Sequence, residues 1–172
     1  RLDLETNYPG IQGLGFSQVI RPGQLAEFEA DVRREGFTDF SVHPPGSREL
    51  YTSILFLEPF SGRNLTAFGF DMYSEPMRRA AMRQAAETGK TQLSGKVTLL
   101  QETAGQEQAG LLMYVPVYRS GAPLTNEKER FDALRGFVYS PYRVSDLMRG
   151  ILDGRKLQID FALFSGTKVD PE

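Results

Sequence analysis

The chain has 172 residues, enough for one domain or one domain and part of another. Apolar residues make up 40% and charged residues 24%, so a core can be filled, and a net charge of −2 offers no electrostatic footprint for nucleic acid. There is no cysteine and a single histidine, His43, which excludes disulfides, thiolate metal sites, cysteine nucleophiles and multi-histidine metal centres.

Predicted elements follow in chain order. Leu14 and Phe16 fit one face of a short strand after a glycine-rich opening. Pro22-Gly23 precedes a helix, Pro22 to Glu35, in which Leu25, Phe28 and Val32 share a face and Gly36 is the stop. Phe40 and Val42, then Ile54 to Leu57, read as strands around the turn cluster Pro44-Pro45-Gly46-Ser47. Leu65 to Phe70 reads as a further strand ending at Asp71. The short gaps make these antiparallel hairpin neighbours.

A second helix, Ser74 to Thr88, is predicted with Ser74 as N-cap and Gly89 as stop. Met77, Ala81 and Ala85 form its buried face, with Arg78, Arg79 and Arg83 around it. Strands follow at Val97 to Gln101, Leu111 to Tyr118 and Leu134 to Tyr139. The polar stretch Ser120 to Asp132 reads as a mobile loop. A short helix, Ser145 to Leu152, and a strand, Leu157 to Leu163, complete the order. The class is α+β: a PAS-like antiparallel sheet flanked by helices.

The motifs of common catalysis are missing. Gly13-Leu14-Gly15 lacks the third glycine of a dinucleotide loop, and no Gly-x-Ser-x-Gly elbow occurs. No catalytic residue, cofactor or metal is assigned. Glu58 and Asp71 both end predicted strands, and a carboxylate pair at one rim is the single hydrolytic option. His43 reads as a turn residue. Strand aromatics including Tyr114, Phe137 and Tyr139 are core by default, yet a tyrosine-bearing sheet face also suits a small ligand. The chain starts at Arg1 and its longest apolar runs are strand-sized, so any anchoring segments are expected outside it.

Several segments in one order resemble the CHASE domain. They are Ile54-Leu55-Phe56-Leu57-Glu58-Pro59, Asn64, Gly69-Phe70-Asp71-Met72-Tyr73-Ser74, and Arg79 followed by Ala85-Ala86-Glu87-Thr88-Gly89-Lys90. The resemblance continues through Val97 to Glu102, Tyr114-Val115-Pro116-Val117-Tyr118, Arg135-Gly136-Phe137-Val138-Tyr139 and Val144-Ser145-Asp146-Leu147. It implies an extracytoplasmic sensor, flanked by transmembrane helices and joined to a cytoplasmic histidine kinase, diguanylate cyclase or adenylate cyclase. It also implies a stalk helix and two PAS-like modules. Residues 1–154 would be the membrane-distal, ligand-sensing module and 155–172 the start of the proximal one.

By the same resemblance Asp71 would accept hydrogen bonds from an adenine-like ligand or another carrying N–H donors. Leu93 would supply backbone contacts, Thr88 would support the binding segment, and Phe137 and Tyr139 would line the pocket. Plant members carry small residues where this chain has Tyr139, Ser140 and Pro141, so the pocket is expected to be reshaped. The expected partners are an unknown small molecule, the membrane through the full-length protein, and a second copy in a homodimer. A ligand-free dimerisation or protein-interaction module is the alternative. A closed cavity with Asp71 pointing inward favours sensing, a filled sheet face favours the alternative, and two carboxylates in an open cleft favour hydrolysis.

Overall fold

The computed structural model describes residues 10–100 and 109–152. They hold one antiparallel sheet of β1 (Leu14–Ile20), β2 (Tyr51–Glu58), β3 (Gln92–Leu93), β4 (Gly110–Tyr118) and β5 (Leu134–Arg143), in the order β2-β1-β5-β4-β3. The helices are α1 (Leu25–Arg34), α2 (Pro76–Thr88), α3 (Glu127–Ala133) and α4 (Val144–Ile151). This is the α+β, PAS-like arrangement that the segment order predicts.

Alternation along the strands divides the sheet into two faces. Phe137 and Tyr139 of β5, Tyr114 and Leu112 of β4, and Ile54 of β2 enter one core with Met82, Ala85 and Ala86 of α2. We call this the inner face. Ile20 and Tyr51 enter a second core with Val32, Phe40 and Val42, against which Leu25, Phe28, Leu55 and Phe68 pack. The predicted apolar stripe of α1 is therefore the one that docks.

Helix α2 is set by its ends. Glu75 is the N-cap, its carboxylate accepting from the backbone N–H groups of Met77 at 2.9 Å and Arg78 at 2.8 Å, with Pro76 at the first helical position. Gly89 closes the helix at φ 71°, in the left-handed region that glycine enters without a Cβ penalty. Ser74, the predicted cap, instead ends a 3-10 turn, Met72–Ser74, and its hydroxyl donates to the Asp71 carbonyl at 2.6 Å.

Other expectations are corrected. Phe40 and Val42 are buried but form no strand; β2 pairs along its length with β1 instead, and His43 makes a single parallel bridge to Phe70. In the Leu65 to Phe70 stretch Leu65, Thr66 and Ala67 end a 3-10 helix, Gly62–Ala67, and the backbone pairing with β2 is the bridge Ser53–Asp71 and the bonds beside it. A short apolar run has no periodicity that separates strand from turn. Val97 makes one bridge, to Gly110. The Ser120 to Asp132 stretch contains most of α3, whose N-cap Asn126 accepts from the Glu129 N–H at 2.9 Å. The predicted strand Leu157 to Leu163 and the proposed module 155–172 lie outside the described residues. Among the described residues no helix is long and apolar enough to cross a membrane.

Candidate functional site

The inner face is organised around two tyrosines. Tyr114 and Tyr139 stand opposite each other in the β4–β5 register, and Phe137 meets the Tyr114 ring edge-on at 6.2 Å. Gly15 of β1 is the partner of Tyr139 on the other side, and a Cβ there would lie 2.5 Å from the tyrosine ring. Only glycine leaves the ring its place. Gly110 does the same for Leu99, whose Cγ would sit 2.5 Å from an added Cβ.

Helix α2 covers this face with a stripe of Arg78, Ala81, Met82, Ala85 and Ala86. Of the predicted stripe Ala81 and Ala85 are buried, but Met77 is 45% exposed and Arg78, at 4% exposed, is covered in its place. A guanidinium thus occupies the first place of an otherwise apolar helical face. One Nη donates to the Thr98 carbonyl at 2.9 Å, and the Phe70 ring centroid lies 5.1 Å from the guanidinium carbon. Its nearest carboxylate is Glu75, with Nε–Oε2 at 3.9 Å, and both Glu75 oxygens already accept helix N–H groups. Nε makes no hydrogen bond among the described residues.

Two more buried polar atoms on this face are without a partner among the described residues: the Tyr114 hydroxyl and Ser17 Oγ. Burial pushes the hydroxyl pKa values of Tyr114 and Tyr139 well above the usual phenol range, and the Arg78 charge pulls both back part of the way. Both therefore stay protonated and can donate. Beside them Ile54, Met72, Arg78, Leu99, Leu112 and Tyr139 surround a cavity of about 10 Å³. A second of about 10 Å³ lies among Gly13, Leu57, Asn64, Tyr139 and Pro141. Each has room for about one water.

Asp71 is 0% exposed and is held by the protein itself. One carboxylate oxygen accepts from the backbone N–H groups of Thr52 at 2.8 Å and Tyr73 at 3.0 Å. The other lies 3.4 Å from Arg48 Nε, and Arg48 in turn stacks over Tyr51. Burial raises its pKa, while the Thr52 and Tyr73 hydrogen bonds and Arg48 lower it; burial is the largest effect. The residue ties β2 to the start of α2. Its pairing with Glu58 fails on distance: Glu58 is exposed at the far end of β2, six residues beyond Thr52, or about 20 Å along a strand.

A family model for the CHASE domain matches residues 1–172, the whole chain. The chain belongs to the CHASE-domain family. No match was found among curated proteins. CHASE domains are extracellular sensor domains of receptors.

In this CHASE domain Tyr114, Phe137 and Tyr139 come together on the inner face, and Asp71 lies at its margin. Leu93, on the edge strand β3, is 59% exposed. Thr88 is exposed at the end of α2, where its hydroxyl donates to the Gln84 carbonyl at 2.7 Å. Neither lines the two small cavities. Sequence reasoning placed Arg78 around the apolar face of this helix rather than in it, and so missed it. Its signal was present as the i, i+3, i+4, i+7, i+8 series Arg78, Ala81, Met82, Ala85, Ala86.

Proposed function

We propose that this CHASE domain is the extracytoplasmic small-molecule sensor of a membrane-anchored receptor, with residues 1–154 as the ligand-sensing module. Its output domain would be a cytoplasmic histidine kinase or diguanylate cyclase. The observation that supports it is the inner face: a buried layer between the sheet and α2 that holds partnerless polar groups. Such groups destabilise a fold that has no use for them. The cavities beside them hold little more than a water each, so a ligand must widen the layer and move α2 or Leu99. Binding would then favour the widened arrangement by its differential affinity for the two. Asp71 supports the layer from its margin, by holding β2 against the start of α2.

A thermal-shift screen of purines, amino acids and organic acids tests the reading. A true ligand at about 100 times its dissociation constant adds about 2.7 kcal/mol to stability. Leu112→Trp, which fills the layer, should abolish the shift.

A second reading has its own observation. The inner face is nearly filled, and an apolar concavity of about 570 Å³ lies on the outer face, with Phe37, Phe56, Phe60 and Phe68 in its walls. Phe56 is 63% exposed there. This favours a ligand-free dimerisation or protein-interaction module. Sedimentation analysis separates the two readings: a stable dimer that Phe56→Glu dissolves, together with a silent screen, would replace the sensor assignment.

A further inference from the structure

Arg78 has a property that a structural arginine does not need. A guanidinium has five N–H donors in a planar fork and brings its charge with it when buried. Here it lies 4% exposed in a layer of alanine, methionine and aromatic side chains. Its neighbours meet little of that demand: one carbonyl, one aromatic face, and a carboxylate at 3.9 Å that already caps the helix. An apolar side chain at this place in the stripe would pack with no desolvation cost. The cavity of about 10 Å³ opens directly on Arg78 and Tyr139. Tyr114 stands opposite Tyr139 in the sheet, with a hydroxyl that is buried and without a partner among the described residues.

Arginine fork, two phenol donors and surrounding apolar walls describe a receptor for an anion with a small hydrocarbon body. Asp71 is no competing charge here, because it does not line this cavity and is engaged by the Thr52 and Tyr73 N–H groups and by Arg48. We propose that the layer beneath Arg78 binds a small organic carboxylate, its two oxygens taking the free side of the guanidinium fork and a hydroxyl hydrogen bond from Tyr139 or Tyr114. The aliphatic part would lie against Ile54, Leu99 and Leu112. This deepens the sensor reading and rests on it: the ligand class is an acid, not a base or a neutral purine. Carboxylate entry also supplies the missing acceptors, so binding should tighten the layer chemically even as it widens it.

The test uses the full chain of residues 1–172 and matched probes: C2 to C6 mono- and dicarboxylates against their neutral amides, with adenine as the neutral heterocycle, each titrated by calorimetry and thermal shift. The expected result is binding of at least one acid with its amide bound at least tenfold more weakly, since a hydrogen bond to a charged group carries about that much. Arg78→Lys should lose the acid about tenfold or more, because a point charge does not replace the fork. Tyr139→Phe, which keeps the ring and the fold, should weaken it severalfold with little change in the melting temperature of the free protein. If adenine or an amide binds and the acids do not, the carboxylate inference falls and the sensor reading stands. If no probe binds at millimolar concentration, both fall. Acid binding that Arg78→Lys and Tyr139→Phe leave unchanged places the site elsewhere and overturns the inference.

Discussion

The two cores of this domain are built from similar side chains and solve different problems. Beside α1, Phe40 meets Phe28 at 5.8 Å and Phe68 at 5.0 Å, both edge-on, the arrangement that aromatic quadrupoles favour. The Tyr51 hydroxyl there is satisfied, donating to the Gly46 carbonyl at 2.9 Å and accepting from the Arg48 N–H at 3.2 Å, whereas the small hydroxyl of Ser53, between Tyr51 and Leu55 on β2, is buried without a hydrogen-bond partner among the described residues. Beneath α2 the packing is as complete, yet the Tyr114 hydroxyl, Ser17 Oγ and Arg78 Nε have no hydrogen-bond partner among the described residues. The α1 core leaves one small hydroxyl unmet and buries no charge as Arg78 is buried. The other keeps unmet hydrogen-bonding capacity at a cost in stability, which is expected where a protein must also receive something.

The comparison breaks most violently at Phe40. Phe40→Ala should destabilise by about 3–5 kcal/mol, since a large ring in a closed cluster leaves a cavity. Urea denaturation measures this, and a small loss would mean that the α1 core is loose. Next comes Asp71, at the seam of the two cores. Asp71→Ala strips the acceptor from the Thr52 and Tyr73 N–H groups and should cost about 2–3 kcal/mol by the same measurement.

The sharpest contrast is one substitution made twice. Tyr51→Phe removes a satisfied hydroxyl and should lower stability by about 1 kcal/mol. Tyr114→Phe removes a buried hydroxyl without a partner and should leave stability unchanged or raise it by up to about 1 kcal/mol. Paired melting curves decide this, and an equal loss at both positions would erase the distinction between the cores.

The smallest effect is a pH slope. Burial raises the Asp71 carboxyl above its ordinary value of 3.8. The folded state therefore holds this proton more tightly than the unfolded chain does. Its contribution to stability is greatest below the unfolded value, falls as pH rises from about 3.8 through the raised folded value, and is flat above that. Exposed carboxylates such as Glu129 and Asp132 shift the other way, so the quantity to plot is the wild-type stability minus that of Asp71→Asn. That difference should decline across the acid window; a rise would show that the Arg48 pairing outweighs burial.

Local chemistry determined much of this protein. The alternation of Phe137 and Tyr139, the stripe of Leu25, Phe28 and Val32, and the stop at Gly89 each act within a few residues, and each element formed where its pattern lay. The Asn126-x-x-Glu129 capping signal in the supposed mobile loop was equally local and simply outweighed by the surrounding polarity. The chain order of segments was enough to point to the CHASE family, because order and spacing are properties of sequence. Tertiary structure alone decided the rest. Nothing local marks Gly15 and Gly110 as special until Tyr139 and Leu99 are seen to occupy the space a Cβ would fill. On α2 Ala81 and Ala85 are covered as their spacing predicts, but the docking surface and not the helix selects how far the covered side extends, and it leaves Met77 outside and takes Arg78 in. Asp71 is adjacent in sequence only to its own turn; its acceptance from Thr52 and its pairing with Arg48 exist because β2 returns alongside it. Periodicity describes one element at a time, whereas burial, unmet hydrogen bonds and charge pairing belong to surfaces made by several elements together.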